Sequence, residues 1–402
     1  MRRFLRGIKR NVFVLGIVSM FNDISSHMIF SVLPFFLTGT VGLDKAMLGL
    51  IEGFAEAASN VAKLFAGVFS DAIGRHKPVV VAGYAISAAT KPLFAFATSA
   101  PAALFLRAAD RIGKGIRTSP RDAMIADSTP RRRLGAAFGI HQSLDTAGAV
   151  VGPVLALMLL PVLGYDFGKL FLLAFVPAAI SLVVLVAFGR EPSKMVAKER
   201  KVLRHKIHFN WNLLHPHLTP DFRRALAIAS VFALGNFSFF FILLRLADFG
   251  IPPETTPAAY LVFNLIFAVS AAPLGSWSDK IGRRNVLLGG YALFTLVCII
   301  AALGGSSSLA WVIVVLYGLF TAAVETMQRA FVVDVVEEKS RATAIGTYFG
   351  TVGLIALPAS ALAGMLWEAY GAWAPFAFGA IVSSVAFFML LSWVNHSGGR
   401  RG

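Results

Sequence analysis

Apolar runs close to the roughly 20 residues that cross a bilayer recur along the whole chain, separated by short polar or glycine-rich interruptions. Most lack the polar outer face of a soluble helix. The pattern predicts twelve helical spans, at roughly 11–37, 46–70, 78–98, 101–127, 134–160, 167–189, 222–246, 256–278, 286–304, 308–334, 342–367 and 373–394. Turn signals divide them, such as Ser-Ala-Pro at 99–101 and Gly-Gly-Ser-Ser-Ser at 304–308. The only long polar stretch, 190–221, separates six spans from six. The expected organisation is a six-helix bundle over 1–189, a basic linker over 190–221 and a second six-helix bundle over 222–402.

Composition strengthens this reading. The chain is 57% hydrophobic and 14% charged, with a mean hydropathy of +0.72, where soluble proteins carry about 25% charged residues. The expected class is an all-α integral membrane protein. The first span follows MRRFLRGIKR and is too long for the core of a signal peptide. The single cysteine, Cys298, lies in an apolar run and supports neither a disulfide nor a thiol metal site. The linker holds His205, His208, His215 and His217, at spacings that match no compact ligand set, so no metal and no cofactor is expected.

Charge distribution then sets orientation. When the loops are assigned to alternate sides, 26 lysines and arginines fall on one side, against Lys45 and Lys169 on the other. This bias places both termini in the cytoplasm, with the chain in the inner membrane. The formal charge of +16 is therefore a topology signal. It argues against a nucleic-acid partner, while the basic cluster of 198–206 suits contact with anionic headgroups.

One segment occurs twice. Residues 67–77 read GVFSDAIGRHK and residues 275–285 read GSWSDKIGRRN, about half a chain apart. A second match is in nearly the same register: GAAFG at 135–139 follows Asp127 and a basic loop, and RATAIG at 341–346 follows Asp334 and a charged loop. Repetition at half-length among apolar spans is the mark of a transporter built from two related bundles.

On these segments the chain resembles the major facilitator superfamily, over essentially its whole length. The family's turn between spans two and three, Gly-x-x-x-Asp-x-x-Gly-Arg, stands here as Gly67, Asp71, Gly74 and Arg75, and again as Gly275, Asp279, Gly282 and Arg283. The resemblance implies a gating role for these residues: a glycine-permitted turn whose aspartate pairs with a basic group on a neighbouring helix, with Arg117 and Arg121 as candidate partners. Gly139, Gly148, Gly152 and Pro153 in span five are similar to the motif of proton-coupled drug antiporters, although Ala156 and Leu157 replace its closing glycines. In span four, Arg111-Ile-Gly-Lys-Gly115 is similar to the family's Arg-x-x-Gln-Gly, with Lys114 in place of glutamine. Segment 107–127 also resembles a bacterial subgroup of permeases for which no substrate is implied.

Ionisable groups within spans require a reason, because bilayer burial of charge costs several kcal/mol. Lys63, Lys91, Arg107, Arg111, Lys114, Arg117 and Arg121 lie in the first six spans, against Arg245 and Arg329 in the last six. At helical periodicity span four carries a basic stripe, which suits an anionic substrate. The first-half acids Asp23, Glu52, Glu56, Asp110, Asp122, Asp127 and Asp145 oppose it, and internal ion pairing is the plain structural explanation. Lys91, followed by Pro92, is expected to snorkel outward.

Asp23 with His27, and His141 with Asp145, are carboxylate–imidazole pairs four residues apart, the groups that proton coupling needs. Glu52 and Glu56 repeat that spacing with two carboxylates. These five acids and histidines (Asp23, His27, Glu52, Glu56 and Asp145) are the proton-coupling candidates. Asn22, Arg107, Arg111, His141, Gln142, Asn236, Asn264, Glu325 and Gln328 are the candidates for a substrate cavity. For each carboxylate–histidine pair, a satisfied buried hydrogen bond is the competing explanation. No nucleophile–base pair or phosphate loop points to an enzyme. The expected function is proton-coupled export of a small organic molecule by alternating access. Proton-coupled uptake of a polar or anionic metabolite is the alternative, and a sensor on the same fold is a third reading. The expected partners are a small-molecule substrate, protons and lipid, and the expected state is a monomer.

Overall fold

The computed structural model describes residues 10–130, 134–191, 219–336 and 341–398, and the regular structure of these residues is helical throughout. The first half comprises α1 (Arg10–Phe30), α2 (Lys45–Ile73), α3 (Lys77–Leu93), α4 (Ala100–Asp127), α5 (Leu134–Val162) and α6 (Phe167–Phe188). The second comprises α7 (Pro220–Gly235), α8 (Phe239–Asp248), α9 (Thr256–Ile281), α10 (Arg283–Leu303), α11 (Ser307–Asp334), α12 (Arg341–Tyr370) and α13 (Ala374–Gly398). Short helical turns at Leu33–Phe35 and Phe36–Thr40 follow α1. The linker histidines lie outside the described residues.

Among the described residues, ten helical segments are long and apolar enough to cross a membrane, and the chain is a multi-pass membrane protein. Helices α2 and α4 have 29 and 28 residues but are studded with charge, so length and apolarity together do not select them. Large apolar side chains such as Phe65, Phe105, Val162, Val183 and Leu303 are exposed. In a bilayer that arrangement meets lipid rather than water.

Helix starts follow local chemistry. Asp166 caps α6 by accepting from the Lys169 amide at 3.1 Å, and Thr219 caps α7 by accepting from Phe222 at 3.1 Å. Proline stands in the first turn of α3, α4 and α7, where no amide partner is lost. The repeated turns close at Gly74 (φ +68°) and Gly282 (φ +90°), left-handed positions that a side chain would strain. One expected span is broken: 222–246 is interrupted at Asn236–Ser238, where Asn236 leaves the helical conformation and Ser238 caps α8 by accepting from Phe240 at 3.3 Å.

The chain forms two compact units. One contains residues 1–33 and 58–210, and the other contains 34–57 and 211–402, so the division passes through α2. In the first unit α1 packs on α5 and α6, and α3 packs on α4 and α6. In the second, α7 packs on α12 and α13, and α10 packs on α11 and α13. The pairing scheme is therefore the same in both, as an internal duplication requires.

One end of the first unit is tied by polar contacts. Asn11 exchanges two hydrogen bonds with the Arg190 backbone, at 3.1 and 3.0 Å, and donates to Ser128 at 2.9 Å. Glu191 accepts from the His76 and Lys77 amides at 2.7 and 2.8 Å, satisfying the start of α3.

Candidate functional site

Helix α4 is the charged backbone of the first unit. Arg107, Asp110, Arg111, Lys114, Arg117 and Arg121 recur every three or four residues, so they share one broad face. Helices α1, α3 and α5 bring polar groups to it in two clusters.

The first cluster centres on Asp110, which is 2% exposed. It accepts from Lys91 at 2.8 Å and from Ser87 at 2.7 Å, and it lies 3.7 Å from Arg107. Lys91 also donates to Ser26 on α1 at 3.1 Å. Lys91 and Arg107 are both 0% exposed. Lys91 therefore points into the bundle instead of snorkelling: its ammonium is satisfied by a carboxylate and a hydroxyl, which makes burial tolerable. Beside this network the ring of Phe30 is approached by Arg107 at 4.5 Å, Arg111 at 4.9 Å and Lys91 at 5.5 Å from its centroid. His27 meets the same ring edge-on at 6.0 Å.

The second cluster centres on Ser19 of α1. Its hydroxyl accepts from Arg121 at 2.8 Å and lies 3.1 Å from both Tyr84 Oη and His141 Nε2. It therefore joins α1, α3, α4 and α5. Arg121 also pairs with Asp122 at 3.0 Å, and the Arg117 guanidinium lies 4.8 Å over the Tyr84 ring. Asp145 has Asp23, Arg121, His141 and Lys114 as its charged surroundings. Asn22 is buried and donates to Asp23 at 3.4 Å. Asp23, His27, Arg111 and Asp145 are half-buried, whereas Lys114 and Gln142 are exposed.

The span-five glycines position these groups. A side chain at Gly148 would collide with the Met20 carbonyl and lie 3.0 Å from Asp23 Cβ. One at Gly152 would lie 2.6 Å from the Ile24 carbonyl and 2.9 Å from His27 Cβ. Bare glycine lets α5 ride on the α1 backbone at the two residues expected to handle protons. Pro153 is buried beside them, and Gly139 is exposed with open space around it.

The remaining candidates are dispersed. Glu52 folds with the second unit, 5% exposed, with Ser238 Oγ at 3.5 Å; Glu56, half-buried, belongs to the same stretch. Asn264 is satisfied by the Tyr260 carbonyl at 2.8 Å, in its own helix. Asn236 lies at the α7–α8 break, Gln328 is half-buried, and Glu325 is exposed on α11. Of the gating residues, Asp71, Gly74 and Arg75 are exposed, and Gly67 lies near Ser119. Asp127 approaches His76 at 3.6 Å, and Asp334 accepts from Arg283 at 2.6 Å, so in each half a basic turn residue meets the acid that ends a later helix. Gly275 is half-buried and Gly282 exposed; the Asp279 side chain is outside the described set. Sequence reasoning passed over Ser19, Ser26, Phe30, Tyr84 and Ser87. Four are polar residues within apolar spans, a usable signal, whereas nothing about Phe30 distinguishes it from the other 34 phenylalanines.

Comparison with known proteins converges on one family. The model of the Major Facilitator Superfamily matches residues 15–246 and 225–401. An uncharacterized MFS-type transporter of Methanocaldococcus jannaschii is 34% identical over 392 residues, covering 96% of this chain and 95% of its own. The inner membrane transport protein YajR of Escherichia coli is 31% identical over 150 residues, 35% of this chain and 32% of its own. Among solved structures, a POT family transporter in complex with 5-aminolevulinic acid superposes with a TM-score of 0.76 at 15% identity, covering 98% of this chain and 97% of that one. The nucleoside transporter NupG gives 0.71 at 14% identity, covering 96% and 99%. These likenesses show the fold, and family and fold alike are those of transporters rather than enzymes. With both halves matched by the family model and a relative aligned over nearly its full length, the chain belongs to the Major Facilitator Superfamily.

Proposed function

We propose that this transporter is proton-coupled, that it carries a small organic molecule by alternating access of the halves 1–189 and 222–402, and that Asp23 and Asp145 hold the coupling proton. The observation that carries the reading is Asp145: a carboxylate within the membrane-spanning part of α5, within electrostatic reach of Asp23, His141, Lys114 and Arg121. An ionisable group held within a membrane span is a candidate for a proton relay. His27 and His141 flank the pair from α1 and α5 and are its natural relay. Glycine-permitted contact between α1 and α5 keeps the two acids together. The turns at Gly67–Arg75 and Gly275–Arg283 are the conformational elements of the cycle. The positive-inside bias supports a cytoplasmic position for both termini, and the reading takes the chain as a monomer of the inner membrane.

Two directions of coupling have support. Export by exchange rests on the Gly148–Gly152–Pro153 pattern. Uptake by cotransport rests on the basic residues beside the acid pair, and it is the better supported. Close packing on α1 already accounts for the glycines without an export role. A proton on the acid pair also unmasks positive charge, so proton and anion load together.

The test is reconstitution in liposomes holding a pH-sensitive dye, with organic anions, neutral compounds and cationic drugs added in turn. Proton movement in the direction of an anion is expected, and Asp145→Asn is expected to abolish it while anion exchange persists. Proton movement opposite to a cationic or neutral compound establishes export. Wild-type coupling in both Asp145→Asn and Asp23→Asn removes the pair from the proton path.

A further inference from the structure

We infer that Ser19 is a positioning residue of the transport cycle: its hydroxyl ties the protonation of His141 on α5 to the hydrogen bond of Tyr84 on α3. The inference rests on the proton-coupled reading above, in which His141 is part of the relay. It adds the step that passes the proton's arrival on to another helix.

Donor and acceptor counting is the first argument. A serine hydroxyl has one hydrogen to donate and two lone pairs with which to accept. Ser19 has three partners among the described residues: Arg121 Nη1 at 2.8 Å, Tyr84 Oη at 3.1 Å and His141 Nε2 at 3.1 Å. A guanidinium only donates, so Arg121 fills one lone pair. One hydrogen and one lone pair remain for Tyr84 and His141, so one of these two donates to Ser19 while the other accepts from it. When Nε2 is bare, Ser19 donates to the imidazole and Tyr84 donates to Ser19. When Nε2 carries a hydrogen, as it must in the imidazolium, His141 donates to Ser19 and Ser19 turns to donate to Tyr84. The Tyr84 hydrogen then loses its acceptor.

Burial gives that reversal a consequence. Ser19 and Tyr84 are each 1% exposed and His141 is 4% exposed, so bulk water does not replace the lost bond. A buried donor without a partner is costly. Protonation therefore favours any arrangement of α1, α3 and α5 that gives the phenol a new acceptor, which is the differential stabilisation that coupling requires. Arg117 lies 4.8 Å over the Tyr84 ring, so a shift of the phenol is felt on α4 as well. The charged groups facing the imidazole are Arg121 and Asp122 from α4, and Asp145 one turn on in α5. Helix α6, which also packs on α5, has Lys169 in its first turn as its one ionisable residue.

The internal duplication is the third argument. Tyr84 and His141 recur 207 positions later as Tyr291 and Tyr348, in the register of the second sequence match. There Tyr291 stacks on Phe232 at 3.9 Å, and Tyr348 Oη is buried with no hydrogen-bond partner among the described residues. The second unit thus builds the corresponding place without a hydroxyl–imidazole network. The fold does not need one, and the first unit has it for another purpose.

The experiment reads the Tyr84 hydroxyl directly. The carbon–oxygen stretch of a phenol differs between a donating and an accepting hydroxyl. Infrared difference spectra of the detergent-purified full chain against Tyr84→Phe isolate this one among seven tyrosines. The titration runs from about pH 8 to about pH 4, either side of the ordinary imidazole value, with no substrate and no gradient. A single step from the donating to the accepting signature is expected on acidification. It is expected to be lost in His141→Gln, whose amide does not titrate, and in Ser19→Ala, and to persist in Ser19→Thr, which keeps the hydroxyl. If Ser19→Ala fails to fold, His141→Gln and Ser19→Thr still decide. A hydroxyl that only braces the helices would lower the melting temperature of Ser19→Ala with no step in the parent chain. The inference is overturned if Tyr84 keeps one signature throughout, if the step survives in His141→Gln or Ser19→Ala, or if a folded Ser19→Thr lacks it. Proton-coupled flux in liposomes without the step would sink the switch and leave the coupling reading standing. The step without proton-coupled flux would sink the coupling reading and leave the hydrogen-bond switch standing.

Discussion

Lys91 illustrates what one residue costs and what keeps it in place. Its ammonium is fully buried and bonded to Asp110 at 2.8 Å and Ser26 at 3.1 Å. Removing one partner of such a pair leaves a buried charge uncompensated, a loss of about 3–5 kcal/mol. Lys91→Met is therefore expected to lower the unfolding temperature in detergent markedly, and Lys91→Met with Asp110→Leu to recover much of the loss. A single variant that melts with the parent protein would show that the pair contributes no stability. The residue type was legible in the sequence, but its direction was not. Pro92 and the nearby span end suggested an outward side chain, yet α3 is followed by a short 3₁₀ turn at Phe94–Phe96, and Lys91 faces α4. Phe30 was invisible for a related reason: its role comes from neighbours that are 61, 77 and 81 positions away in the chain.

At the scale of elements, the contact between α1 and α5 decides whether the acid pair exists. Gly152 is within 2.6 Å of the Ile24 carbonyl when given a β-carbon, and backbone cannot retreat as a side-chain tip can. Gly152→Val is expected to push α5 from α1 at a cost of about 1–3 kcal/mol and to depress proton-coupled flux far more than it depresses the amount of folded protein. Coupled flux that falls only in proportion to folded protein would count against the role of this contact. The spacing of these glycines was readable, and so were the ends of most helices, because apolar length and turn residues are local properties. The break after α7 was available in the Gly-Asn and Ser of 235–238 but was hidden by the surrounding phenylalanines. The charges of α2 and α4, which take them out of the purely apolar class, mark the helices that carry the chemistry.

For the whole molecule, orientation is testable without a substrate. Cys298 is fully buried, so the parent chain is expected to resist a membrane-impermeant thiol reagent. Ser306→Cys, in the exposed turn before α11, is expected to label in intact cells, and Ser193→Cys in the linker only in inverted vesicles. The reverse pattern would invert the topology. The sequence by itself determined the membrane class, the half-length repeat and the family, because each of these is written in local hydropathy or in contiguous motifs. It also nominated the ionisable residues, since charge within an apolar run is conspicuous wherever it points. Only the tertiary structure decided which of them meet. It sent Glu52 and Glu56 to the second unit, turned Lys91 onto Asp110, brought Asp145 within electrostatic reach of Asp23, and set three cations around Phe30. Such pairings depend on helix rotation and on close approach between distant segments, and no local pattern of residues encodes either.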